Sequence, residues 1–139
     1  MKRFRYYVNK FQYALNGIRY AMREDRSTKL QFFLGLIAVF LSIVLKISAL
    51  EFVLVSIACT LVIFAEMFNS ALEAIADYAT RNSLERHILI QIAKDLGAGA
   101  VLITSVNAVI VGMGVFLPKI LRIFFKFNYN PLKLILFWN

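Results

Sequence analysis

The chain has 139 residues, 60% of them hydrophobic, a formal net charge of +8 and a single cysteine, Cys59. That length suits one domain, and the apolar share is above that of ordinary soluble domains, which makes the bilayer the natural solvent. One cysteine inside an apolar run rules out an intrachain disulfide and a cysteine metal cluster.

From Phe4 to Met22 the larger apolar residues Phe4, Tyr7, Val8, Phe11, Leu15, Ile18 and Met22 recur every three or four positions. This is the period of an amphipathic helix, predicted over about 4–23 and lying in the headgroup plane. Pattern alone fits equally a plain anchoring helix with no part in catalysis. Lys2, Arg3, Arg5, Lys10, Arg19, Arg23, Arg26 and Lys29 all precede the first apolar run. That asymmetry places the N-terminus in the cytoplasm, and no cleaved leader is expected. Most of the basic excess thus flanks a membrane span, where anionic lipid is a simpler counterpart than nucleic acid.

Glu24 to Thr28 interrupts the apolar period as a polar hinge, whose two acids have neighbouring arginines as ready partners. Three runs follow without an ionisable residue: Leu30 to Leu45, Phe52 to Ala65, and Leu96 to Pro118. They predict transmembrane helices over about 30–48, 52–78 and 95–117, the last reaching about 34 Å at the helical rise. The predicted fold is an all-α membrane protein, three transmembrane helices plus an N-terminal amphipathic surface helix, with residues 1–120 as the membrane domain. Pro118 is expected to end the third span. Residues 121–139 read as a basic and apolar tail, and Lys119, Arg122, Lys126 and Lys133 run against the positive-inside tendency.

Within the second span Glu66, Asn69, Glu73 and Asp77 follow one another at intervals of 3, 4 and 4. Those intervals return to one stripe of a helix. Ionisable groups in a membrane segment cost about 2.5 to 3.5 kcal/mol each, so a stripe of them needs a use. Hydrogen-bonding glue between helices, with Ser70, Ala71 and Ala74 allowing close approach, is the structural alternative. Counted inward from Phe52, Glu66 lies about 21 Å down and Glu73 about 31 Å, against a core of about 30 Å. A carboxylate still in lipid suits a general base for a lipid hydroxyl, and one at the water surface suits a nucleotide and Mg²⁺. Glu73 and the Glu24/Asp25 pair are the oxygen ligands for that cation. The following loop offers Glu85, Arg86, His87, Lys94 and Asp95, with Lys94 placed to attract phosphate. A lone loop histidine is more often solvated than catalytic, and Gly97 to Ala100 lacks the arrangement of a phosphate loop, so close helix packing accounts for it better.

The run Glu66-Met67-Phe68-Asn69-Ser70-Ala71-Leu72-Glu73 with Asp77, then Ala93-Lys94-Asp95-Leu96-Gly97-Ala98-Gly99-Ala100-Val101-Leu102, resembles the prokaryotic diacylglycerol/undecaprenol kinase family. Tyr13-Ala14, Gly17-Ile18 and Ala21 extend the likeness, which covers roughly Phe11 to Ile120. The resemblance implies a homotrimer with active sites shared between subunits at the cytoplasmic face of the bacterial cell membrane. It implies transfer of the ATP γ-phosphate to a membrane lipid alcohol, with Glu66 as base and Asn69 beside it. Glu73 and Asp25 or Glu24 would hold Mg²⁺. Tyr13, Glu85, Arg86, His87, Lys94 and Asp95 would contact ATP, with Asp77 in support. The segments Phe116 to Ile120 and Glu24 to Arg26 look more like the Gram-positive branch, which places undecaprenol narrowly ahead of diacylglycerol. The competing class is a non-enzymatic oligomeric membrane protein or ion conductor whose stripe binds cations.

Overall fold

A computed structural model describes residues 2–81 and 88–129, with side chains described over 3–81 and 88–126. The chain forms α1 (Lys2–Glu24), α2 (Arg26–Val44), α3 (Ala49–Arg81) and α4 (Ile88–Tyr129). Three of these, α2, α3 and α4, are long and apolar enough to cross a membrane, and among the described residues there is no strand.

Local chemistry fixes the breaks between helices. Asp25, at φ −90° and ψ 113°, alone separates α1 from α2, and its carboxylate accepts the Ser27 amide at 2.9 Å as the α2 N-cap. The side-chain oxygen thereby satisfies one of the amides that a helix start leaves without an internal partner. At the other end of α2, Lys46 takes φ 48°, a left-handed turn that lets the Ile47 amide reach the Ser42 carbonyl at 3.2 Å. Ser48 and Glu51 then form a reciprocal capping box for α3. The Ser48 amide donates to Glu51 Oε2 at 2.6 Å, and the Glu51 amide donates to Ser48 Oγ at 3.3 Å.

The interior is built from small residues. Ala21, Val55, Ala58, Val62, Ala65, Ala76 and Val115 are its buried apolar side chains, whereas Phe33, Phe40, Leu61, Phe64 and Ile103 lie exposed. Small side chains bring helix backbones close where lipid removes the hydrophobic drive between helices, and the large ones face outward. The α3–α4 pair is the most extensive contact, with α2 packed on α3 and α1 on the start of α2.

Helix boundaries differ from the sequence expectation, two of them for a local reason. The polar hinge contracts to one residue, Asp25, because Arg26 to Lys29 are recruited into the first turn of α2 by that cap. Pro118 does not end the third long helix, since α4 continues through it to Tyr129. Proline removes one ladder hydrogen bond at a cost of about 3 kcal/mol. In a helix of 42 residues the remaining ladder and the apolar residues beyond it carry the backbone on.

Candidate active site

The site lies where the N-terminus of α2 meets the second half of α3. Glu66 and Asn69 are only 7% and 8% exposed, so the stripe faces protein at this depth. Seven residues apart on a helix, Glu66 and Glu73 share one azimuth, and Asn69 between them donates its Nδ2 to Glu73 Oε1 at 2.9 Å. The Ser27 hydroxyl and the carboxylates of Asp25 and Glu73 all act on Glu66. Three acidic side chains, Asp25 at the α2 cap and Glu66 and Glu73 on α3, thus stand within electrostatic reach of one another.

Asp25 ties the elements together. Its carboxylate accepts the Thr28 and Ser70 hydroxyls as well as the Ser27 amide. Partial burial works to raise its pKa, but the hydrogen bonds from Ser70, Thr28 and Ser27 outweigh that and hold it below the usual carboxylate value. No arginine among the described residues hydrogen-bonds or ion-pairs with it.

One turn and more toward the helix end, Lys94 Nζ meets Asp77 Oδ1 at 3.0 Å, joining the start of α4 to the end of α3. Gly97, three residues on and on the same face of α4, lies against Asn69. A Cβ at that position would collide with the Asn69 amide oxygen and stand 3.3 Å from Leu72 Cδ1. That oxygen, Asn69 Oδ1, is buried without a hydrogen-bond partner among the described residues. Leaving such an acceptor unpaired costs about 1–3 kcal/mol, and native structures tolerate it chiefly where a ligand or function uses the atom.

The structure therefore brings together Asp25, Glu66, Asn69 and Glu73, with Lys94 and Asp77 paired beside them. Of the other residues named from sequence, three are described and stand apart from this set. Glu24 is exposed. Tyr13 is 71% exposed on α1, about 18 Å along that helix from Asp25 at the helical rise. Asp95, one residue round from the Lys94 face, is held by Gln91 Nε2 at 2.9 Å. Glu85, Arg86 and His87 lie outside the described residues. Sequence reading missed Ser27 and Thr28, and it read Ser70 only as a small packing residue. Only the hydroxyl character of the three advertised their part.

Among the described residues no three acidic or imidazole ligands stand close enough to hold a metal by themselves. The donor set nevertheless suits Mg²⁺, because that cation takes one or two carboxylates and fills its other positions with phosphate and water. The oxygens of Glu73 and Asp25 and the unpartnered Asn69 oxygen fit that requirement.

A bundle of spanning helices with carboxylates at the edge of the hydrocarbon defines a class of integral-membrane protein with an interfacial polar site. Within that class the chain belongs to the prokaryotic diacylglycerol kinase family, whose pattern matches residues 12–116. It is 34% identical over 103 residues to a diacylglycerol kinase of Synechocystis sp., covering 74% of this chain and 58% of the relative. It is 35% identical over 80 residues to one from Pseudomonas aeruginosa, covering 58% and 63%. It is 41% identical over 75 residues to one from Escherichia coli K12, covering 54% and 59%. The matched stretch thus spans 58% to 63% of the length of these relatives.

Proposed function

We propose that the chain is a lipid kinase that moves the γ-phosphoryl group of ATP onto the hydroxyl of a membrane-dissolved alcohol. The observation that carries this reading is the buried Glu66–Asn69 pair on a spanning helix, beside Asp25 and Glu73 and one step from the Lys94–Asp77 ion pair. Glu66 takes the proton of the lipid hydroxyl, the hydroxyl oxygen bonds to the γ-phosphorus, and the bond to the β-phosphate bridging oxygen breaks to release ADP. Asn69 orients the reacting groups through its amide, and Lys94 draws the phosphates to the site. Glu73 with Asp25 or Glu24 holds Mg²⁺, which supplies neutralisation of phosphate charge. Tyr13, Asp95 and the 85–87 segment contact ATP on this reading, in a homotrimer whose subunits share sites at the cytoplasmic face.

Two acceptors are supported on different grounds. Sequence resemblance favours undecaprenol, and the three relatives above are named diacylglycerol kinases. Side-by-side transfer of labelled γ-phosphate to undecaprenol, diacylglycerol and ceramide in defined micelles decides between them. Glu66→Gln keeps shape but loses the base, so turnover should fall by about two orders of magnitude or more. Wild-type turnover in that variant would remove Glu66 from the chemistry, and no transfer to any lipid alcohol would remove the kinase reading.

A further inference from the structure

A buried hydroxyl on α2 makes a contact that the helix cap does not require. Thr28, in the first turn of α2, is the most completely buried side chain among the described residues, at 0% exposure. Taking a hydroxyl out of water is unfavourable unless it finds a partner, and an apolar side chain would fill the same space without that need. The partner of Thr28 is a carboxylate, since its hydroxyl donates to Asp25 Oδ2.

The two oxygens of Asp25 have different tasks. Oδ1 accepts the Ser27 amide at 2.9 Å, and that one bond is what an N-cap supplies. Oδ2 accepts two hydroxyls, Thr28 from α2 and Ser70 from α3. A carboxylate oxygen has about two acceptor positions, so Oδ2 is filled from two helices at once. Ser70 Oγ also lies within donating distance, 3.0 Å, of the Glu66 carbonyl oxygen one turn back on α3. A continuous route therefore runs from Thr28 through Asp25 Oδ2 and Ser70 to the turn that carries Glu66. Ser27, beside Thr28 in the same turn of α2, acts through its hydroxyl on the Glu66 carboxylate itself.

We propose that Thr28 is a positioning residue for phosphoryl transfer, holding the first turn of α2 against the Glu66 turn of α3 through the Asp25 carboxylate and the Ser70 hydroxyl. The inference rests on the reading of Glu66 as the base. A base displaced by about 1 Å loses catalytic power without losing the substrate, so the contribution of Thr28 falls on turnover rather than on affinity. A residue that served only the α2 cap would leave the rate alone.

Thr28→Val keeps the shape of the side chain and the Ser27 cap while removing the hydroxyl. In steady-state transfer of labelled γ-phosphate by the full-length chain in micelles, its kcat should fall about tenfold or more while the KM for the lipid alcohol stays within about twofold of wild type. Thr28→Ser restores a hydroxyl and should recover most of the rate. Ser42→Ala is the control, because Ser42 is also buried on α2 but donates to the Ala38 carbonyl of its own helix at 2.7 Å. Its kcat should match wild type. Ser70→Ala should slow transfer too, and combining it with Thr28→Val should cost less than the product of the two effects, since both act through one oxygen. Independently of turnover, amide hydrogen exchange over residues 26–30 should quicken in Thr28→Val and not in Ser42→Ala. Wild-type kcat in Thr28→Val, a raised KM with kcat unchanged, no recovery in Thr28→Ser, or unchanged exchange would each overturn the proposal. Wild-type turnover in Glu66→Gln is the distinct result that would take away the base reading, and this role with it.

Discussion

Asn69 and Gly97 show how tightly single residues are set here. The amide oxygen of Asn69 lies where a Cβ on residue 97 would have to go, so Gly97→Ala must push α4 from α3 or rotate the amide away from Glu73. Overpacking of this kind costs about 1–3 kcal/mol. Thermal unfolding of Gly97→Ala in micelles should show that loss, together with reduced turnover, and a melting curve matching wild type would contradict the contact. The stripe Glu66, Asn69, Glu73 and Asp77 was legible because helical periodicity is written in spacing alone. The partners of that stripe were not. Ser70 and Asp25 are 45 residues apart in the chain and Lys94 and Asp77 are 17 apart, and no local pattern announces which hydroxyl or ammonium will arrive opposite a given carboxylate.

At the scale of elements, the caps carry energetic weight that the apolar pattern does not show. Asp25 has a folded-state pKa below its unfolded value. Its contribution is therefore complete above about pH 4, the ordinary aspartate range, and is lost as pH falls through the lower folded value. The melting temperature of wild type should exceed that of Asp25→Asn by a constant margin from pH 6 to about pH 4 and converge on it below. A margin that widens in acid would show that the carboxylate does not stabilise α2. The capping box is a second case, in which Ser48 and Glu51 satisfy each other's amides at the start of α3. Ser48→Ala should cost about 1 kcal/mol in chemical or thermal unfolding. Pro118 misled for the opposite reason. A proline is a strong local stop signal, but context from a long helix overrode a penalty of about 3 kcal/mol.

For the whole molecule, three spans follow from three apolar runs, and that count was plain in the sequence because the bilayer demands long uninterrupted helices. The length of α4 was not. Its 42 residues extend about 63 Å, twice the hydrocarbon thickness, so both its ends stand clear of the core. An odd number of crossings puts the far ends of α1 and α4 on opposite sides of the membrane. With Cys59 replaced by serine, an impermeant maleimide applied to intact cells should label Lys126→Cys and spare Arg23→Cys, if the N-terminus is cytoplasmic. The reverse pattern would place Glu73 and Lys94 on the side away from cellular ATP.

The joint between α1 and α2 has a mechanical consequence. A helix floating on the headgroups and a helix threaded through the oil share one connecting residue, so neither can pivot without dragging the Asp25 carboxylate off Ser70. Any change in bilayer thickness that tilted one rod against the other would have to be absorbed at that single joint.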